Sequence, residues 1–342
     1  MKKLLILLLT ACCFLSVPAQ ENNRLKNIVF EGAGIRGIGY SGAISELENN
    51  GLLRGVENVA GTSAGAITAL VVALGYSPGE IKNIITGTDF KKFNDGRYLF
   101  AGGFNRMNKF FGWYRGKGFE HWIEQLIKQK TGNGNITFRQ MNDMGLKDLY
   151  VTGTCINKQQ LVVFSRHTYP DMPVKDAVRI SMSIPLYFEA VFIDKQGKVI
   201  HHPKNKEGLN IMVDGGFTGN FPIWLFDSLP GTRTSTIGFR IDRDEQILND
   251  QTSGGLAPFE VKNISQYVSA LYNLTIENLN RQQLTAADWQ RTVSISDGKI
   301  APRIRRLSEK EISTLIENGR QATKDFLVNW AKLSPDAPAL NH

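Results

Sequence analysis

"VENVAGTSAGAITALVVAL", Val56 to Leu74, sets two different patterns on either side of a knot of small residues. Val56 to Ala60 reads as a strand. Ala66 to Leu74 is apolar on every side, as expected of a helix buried in the cover layer of a sheet. Between them stands Gly61-Thr62-Ser63-Ala64-Gly65, a G-x-S-x-G in the strand-to-helix setting that this motif needs to act as a nucleophile elbow. Such a turn holds the serine in a strained conformation with its hydroxyl above the sheet. Its neighbours must be small, because a Cβ there would strike backbone. The following helix offers free N–H groups and its positive end to charge developing near Ser63. The same five letters occur by chance in many chains, so the setting carries the reading.

Working outward toward the N-terminus, Asn27 to Glu31 is a second strand-like run, and "FEGAGIRG" (Phe30–Gly37) overlaps its end. Gly32, Gly34 and Gly37 have the spacing of a dinucleotide-binding loop. That reading requires an acidic residue at the end of the next strand, to hold ribose hydroxyls. The next strand runs straight into Gly61; Glu46 and Glu48 lie in the intervening helix, and Glu57 precedes the strand rather than following it. No cofactor is therefore expected. The backbone N–H groups of Gly32, Ala33, Gly34, Ile35, Arg36 and Gly37 suit an oxyanion instead. Arg36 is read three ways: as a support for the loop, as a contact for a phosphate head group, or as a plain surface arginine.

A nucleophilic serine needs a base, usually histidine. None of His121, His167, His201, His202 and His342 has the setting of one, although His167, just after a strand, is the best of them. Asp214 is better placed, at the end of the apolar run Ile211-Met212-Val213 and before Gly215-Gly216. Carboxyl ends of strands are where open α/β sheets put chemistry. By itself a D-G-G is more often just a turn. An exposed aspartate is also a feeble base, so Asp214 has to be desolvated to serve.

The remaining elements alternate. A helix pattern spans Ile38 to Asn49, and Ser77-Pro78-Gly79-Glu80 is a capping box that opens another helix. Strand-like runs follow at Leu149–Ile156, Leu161–Ser165, Ile211–Val213 and Ser235–Ile241, with a short helix from Pro173 through Ser181. Alternation of this kind predicts a three-layer α/β/α fold with a mostly parallel central sheet. Beyond about Asp244 the pattern is helical, over Phe259–Leu284 and Glu309–Leu333, with one short strand-like run at Thr292–Ile295. The expected organisation is a leader at 1–19, an α/β catalytic domain at 20–242, and a helical C-terminal region at 243–342 packing on it.

The leader reading rests on Met1-Lys2-Lys3, the apolar Leu4 to Val17, and the small Ala19 after Pro18, the pattern of a cleaved secretory signal. Leu9-Thr10-Ala11-Cys12 admits a second reading, a lipoprotein box with Cys12 as the lipidated residue. Either way the protein is expected to be exported. Of the three cysteines in the 342 residues, Cys12 and Cys13 lie in the leader, so Cys155 has no partner for a disulfide and is read as an inert buried thiol. The 42% apolar content supplies an ordinary core. The net charge of +8 is compatible with anionic membrane surfaces. With no dense Lys/Arg run, nucleic acid is not expected as a partner.

The glycine loop Gly32–Gly37, the G-x-S-x-G at Gly61–Gly65 and the D-G-G at Asp214–Gly216, in that order, resemble the patatin-like phospholipase family. Arg179-Ile180-Ser181-Met182-Ser183-Ile184-Pro185 and Asn220-Phe221-Pro222 extend the resemblance, which covers about residues 27 to 242. One departure is Ala33, where the family usually has a second glycine; its N–H still serves if φ is negative there. The resemblance implies a Ca²⁺-independent acyl-ester hydrolase acting on lipids, with Ser63 as nucleophile, Asp214 as general base, and the Gly32–Gly37 loop as oxyanion hole. A metal ion is not implied, and the expected partner is a phospholipid or other lipid ester. Contact with a membrane surface is also expected. Between Thr86 and Trp122, aromatics such as Phe90, Phe93, Tyr98, Phe100, Phe104, Phe110, Phe111, Trp113 and Tyr114 alternate with cations such as Arg97, Arg106, Lys109, Arg115 and Lys117. That mixture suits an interfacial surface, although most of these rings are expected to pack internally. Two alternatives remain open: a carboxylesterase or thioesterase on non-lipid substrates, and a non-catalytic lipid-binding protein of the same fold.

Overall fold

The computed structural model describes residues 25–96, 101–228, 233–252, 255–272, 274, 277–301 and 305–332. The expected leader with Cys12, and Arg97, Tyr98, Phe100 and His342, lie outside the described residues.

Among the described residues there are ten strands: β1 (Asn27–Phe30), β2 (Asn58–Gly61), β3 (Gly112–Tyr114), β4 (Asp148–Cys155), β5 (Gln160–Phe164), β6 (Leu186–Phe188), β7 (Val191–Ile193), β8 (Asn210–Asp214), β9 (Thr236–Asp242) and β10 (Thr292–Ser296). Eight of them form one sheet in the order β10-β9-β1-β2-β4-β8-β7, with β5 also paired to β4. The pairings from β10 to β4 are parallel, and those of β4 with β5 and β8, and of β8 with β7, are antiparallel. The fold is thus mixed α/β around a mostly parallel sheet. β3 and β6 make a separate two-stranded ribbon.

Side chains alternate across the pleat. Ile28, Phe30 and Val59 enter the large core under the helices α1 (Tyr40–Asn49) and α2 (Ala64–Ala73). Val29 and Ala60 point the other way, against Phe221, Ile223 and Phe226. α2 is buried almost all round, as its unbroken apolar sequence demands. α3 (Pro78–Gly87) begins with the expected capping box: the Ser77 side chain accepts the Glu80 N–H, and the Glu80 carboxylate accepts the Ser77 N–H. α4 (Ala101–Phe110), α5 (Lys117–Thr131), α6 (Phe138–Asp143) and α7 (Val174–Ser181) follow. α8 (Gly216–Gly219) is a single turn after β8.

After α9 (Asp244–Thr252), the run expected to be helical from Phe259 to Leu284 starts later, at α10 (Ile264–Tyr272), and ends with α11 (Asn278–Gln282). α12 (Ala286–Trp289) leads into β10, which pairs with β9 and so extends the central sheet. α13 (Glu309–Lys332) lies on α1: the backbone carbonyl of Ile316 would be 1.8 Å from a Cβ at Gly42, and that of Gly39 2.0 Å from one at Gly319. Two glycines thus let the helices touch backbone to backbone.

The topology explains why residues far apart in sequence meet. β5 occupies one edge of β4 from Val151 to Cys155. The other edge is shared: β2 runs along it only as far as the Gly61–Val151 pair, and β8 arrives from the opposite direction and stops at the Asp214–Gly153 pair. The ends of β2 and β8 therefore face each other across a gap of about two residues, some 7 Å at the usual strand rise.

Candidate active site

Ser63 occupies the elbow that leaves β2, with φ 54° and ψ −124°. A non-glycine residue in that region is strained by about 1–3 kcal/mol and persists only where its surroundings impose it. The surroundings are tight. A Cβ at Gly61 would lie 2.2 Å from the Gly65 carbonyl oxygen, and one at Gly65 would lie 2.3 Å from that of Phe30. The Ser63 N–H donates to Ser181 Oγ at 2.8 Å, and Thr62 Oγ1 bonds Thr152 Oγ1 at 2.6 Å and donates to the Gly219 carbonyl at 3.0 Å. The elbow is pinned to α7, β4 and α8 together.

The Ser63 hydroxyl donates to Asp214 Oδ2 at 2.7 Å. The Gly216 N–H holds the other oxygen, Oδ1, at 2.8 Å. Both side chains are almost buried. Burial raises the Asp214 carboxyl from 3.8 to about 6, against the pull of the Gly216 and Ser63 hydrogen bonds. This carboxylate is a stronger base than an exposed aspartate and still ionised near neutral pH.

The loop after β1 turns as a 3-10 helix from Gly34 to Gly39 beside the serine. Ala33 has φ −130°, so its extra methyl group costs no backbone strain there. Among the described residues, the N–H groups of Ala33, Gly34 and Ala64 have no protein acceptor. Arg36 supports the loop: its Nε donates to the Ala33 carbonyl at 3.2 Å, and an Nη donates to Asp297 just past β10 at 3.3 Å.

Asn220 staples the loop to the aspartate's turn. Its Nδ2 donates to the Gly32 carbonyl at 3.0 Å and its own carbonyl accepts the Gly32 N–H at 3.2 Å. Asn280 of α11 accepts the Asn220 N–H at 2.9 Å and donates to the Gly216 carbonyl at 3.3 Å. The run 179–185 braces the other side. Ser183's carbonyl accepts the Asp214 N–H at 3.0 Å, while the buried Arg179 reaches Ser183 Oγ and the carbonyls of Arg115 and Glu189.

Just behind the loop lies a buried charge cluster. Arg240 is held at 3.0 Å from Glu31 and 3.3 Å from Asp242, between the rings of Phe221 and Trp289. Burial outweighs the pull of Arg240 and lifts the Glu31 carboxyl well above its ordinary value.

The histidines stand elsewhere. His167 is exposed and stacks on Tyr150. His202 bonds Glu189 at 2.8 Å and stacks on Phe110, and His121 and His201 are exposed. Among the described residues no histidine side chain bonds Ser63 or Asp214, and no group of three or more His, Cys, Asp or Glu is placed to hold a metal ion. Cys155 is buried and free.

Sequence reasoning named Ser63, Asp214 and the two glycine motifs, and it noted Asn220 and the 179–185 run without assigning their contacts. It missed Asn280, Glu31 and Arg240. Of these only Arg240 left a signal, a cation in the middle of an apolar strand.

Comparison with known proteins places these residues in a wider group. The family model described as "Patatin-like phospholipase" matches residues 28–227. The uncharacterized protein YqhO of Bacillus subtilis (strain 168) is 29% identical over 314 residues, spanning 88% of this chain and 98% of its own. The probable lipid hydrolase 463L of Invertebrate iridescent virus 6 is 26% identical over 205 residues, 58% of this chain and 62% of its own. Among solved structures, VipD from Legionella pneumophila superposes with a TM-score of 0.56 at 18% identity, over 90% of this chain and 67% of that one.

Proposed function

The chain belongs to the patatin-like phospholipase family, and from that premise we propose that it hydrolyses the carboxylic esters of lipids through a Ser63–Asp214 dyad. The observation that carries this reading is the 2.7 Å hydrogen bond from a strained, almost buried serine to a desolvated carboxylate. As Ser63 Oγ attacks the ester carbonyl, its proton passes to Asp214 Oδ2. The carbonyl oxygen becomes an oxyanion, and in this reading the unpaired N–H groups at Ala33 and Gly34 donate to it; each such donor is worth about 3 kcal/mol or more. Collapse of this intermediate expels the alcohol, which takes the proton from Asp214 and leaves an acyl group on Ser63. Water then attacks the acyl-enzyme and gives its proton to Asp214. The fatty acid leaves as the proton returns to the serine.

A serine with a single carboxylate suffices because burial has moved that carboxyl toward the working pH. The head group and the acyl position, phospholipase A or lysophospholipase, form the finer part of the proposal. The test is mass spectrometry of the products formed from mixed-lipid vesicles by wild type, Ser63→Ala and Asp214→Asn. The proposal expects free fatty acid and lysolipid or deacylated head group from wild type alone. Equal release by Asp214→Asn would remove the dyad, and cleavage of short soluble esters without any lipid hydrolysis would return a carboxylesterase.

A further inference from the structure

The β3–β6 ribbon carries two residues that ordinary folding does not favour. Phe111, just before β3, and Leu186, at the start of β6, both have left-handed backbones, with φ 63° and 67°. Neither is glycine or asparagine, and for bulky side chains such a φ is an outlier. Both side chains are nonetheless turned out, Leu186 64% exposed and Phe111 39%. They are neighbours: the Leu186 N–H donates to the Phe111 carbonyl at 3.2 Å. Phe104 of α4, edge-on to Trp113 of the same ribbon, is 65% exposed. Strained backbone that displays apolar side chains to water gains nothing for the fold, and points to a use outside it.

The surroundings of the patch are cationic. The Lys206 ammonium lies 4.4 Å from the centre of the Phe111 ring and donates to the Lys109 carbonyl. Residues 101–118 and 198–206 contain no acidic side chain, while they hold Arg106, Lys109, Arg115, Lys117, Lys198, Lys204 and Lys206. Nearby carboxylates are engaged elsewhere: Asp95 accepts the N–H groups of residues 116–118, Glu189 meets Arg106 and His202, and Glu120 and Asp176, which line a pocket with Arg115 and Lys117, pair with Lys175. Glu207, next in sequence to Lys206, is exposed. The ribbon also connects to the site, because Met182 Sδ lies 3.6 Å from Ser63 Oγ and the turn Ser183–Pro185 leads from it directly to Leu186.

We propose that Leu186, Phe111 and Phe104, with Lys109 and Lys206 around them, form the surface by which this protein seats on an anionic phospholipid bilayer. Apolar tips enter the acyl boundary while the ammonium groups meet lipid phosphates. The proposal rests on the lipid-ester reading of the same site. It gives that reading a direction of approach: lipid reaches Ser63 from the Leu186 side.

The test uses Ser63→Ala protein, so that hydrolysis does not alter the vesicles, sedimented with phosphatidylglycerol-containing or pure phosphatidylcholine vesicles. Two variants are compared with it: Phe104→Gln/Leu186→Asn and Lys109→Gln/Lys206→Gln. Asparagine tolerates the left-handed conformation, so the first variant is expected to melt at or above the parent temperature. Its partitioning onto anionic vesicles falls about 10–100-fold. The lysine pair loses the preference for anionic over neutral vesicles. With Ser63 restored, both variants retain wild-type turnover of a short soluble ester. Undiminished sedimentation of Phe104→Gln/Leu186→Asn would overturn the proposal. So would a concentration-dependent dimer that this variant abolishes while vesicle binding persists, since the patch would then be a contact between copies. A wild type that sediments with vesicles yet cleaves no ester would sink the hydrolase reading and leave the surface standing.

Discussion

Replacing Asp214 with asparagine should disable the enzyme and stabilise the protein, and the size of the second effect follows from the site. Burial raises the Asp214 carboxyl from 3.8 to about 6. At about 1.4 kcal/mol per tenfold change in proton affinity, keeping this group ionised in the folded state costs about 3 kcal/mol. The folded protein binds this proton more tightly than the unfolded chain does. The resulting stabilisation is complete below the unfolded value, near 4, and is lost as pH rises through about 6. Asparagine has no such proton. Its Oδ1 can still accept the Gly216 N–H, and its amide can donate to Ser63 Oγ in place of accepting from it. At a pH of about 8, Asp214→Asn should therefore be more stable than wild type by roughly 2–3 kcal/mol, allowing about 1 kcal/mol for the weaker hydrogen bond to Ser63. At a pH of about 4 the gain should vanish. Urea unfolding of both proteins at the two pH values, read as ΔG at matched m-values, gives the comparison. Ester turnover in the same variant should fall about 10²–10⁴-fold, the usual worth of a general base. A variant less stable than wild type at the higher pH, or a difference that does not change with pH, would refute the desolvation argument.

Other outcomes follow from the same contacts. The kcat/KM of wild type on a soluble ester should rise with pH along a single-proton limb centred near 6, and Asp214→Asn should lack that limb. Gly65→Ala sets a Cβ 2.3 Å from the Phe30 carbonyl, which is backbone and cannot give way, so the elbow should distort at a cost of about 1–3 kcal/mol, seen as a lower urea midpoint. Ser181→Ala leaves the Ser63 N–H without its acceptor and should cost about 1–3 kcal/mol, with kcat reduced more than KM is raised. Arg179→Lys cannot span Ser183 and the carbonyls of Arg115 and Glu189 with one ammonium group, and should lower both the melting temperature and kcat.

The parts of the site that sequence reveals are those with a local cause. Gly61 to Gly65 must be small because the backbone doubles back within five residues, and an apolar run ending in Asp-Gly-Gly shows that a strand stops at Asp214. The gathering of these pieces is not local. Ser63 and Asp214 meet because β2 and β8 share one edge of β4 from opposite directions, and nothing in either strand alone specifies that pairing. Asn280 holds Asn220 from 60 residues away, out of a segment whose own pattern says only helix. Thr292–Ile295 reads as a short run among helices, and its value as a sheet edge comes from β9 beside it. The cation–aromatic mixture between Thr86 and Trp122 was visible, yet only the backbone separates its buried members, Phe93 and Phe119, from the displayed Phe104 and Phe111.

The central claim is that Ser63 is a nucleophile activated by Asp214. Its most direct measurement is the rate of labelling by a lipid-like fluorophosphonate, with the adduct mapped by peptide mass spectrometry. The account predicts a single adduct on the peptide containing Ser63, none in Ser63→Ala, and labelling slowed by about 10²-fold or more in Asp214→Asn. An adduct on another residue, or labelling of Asp214→Asn at the wild-type rate, would contradict it.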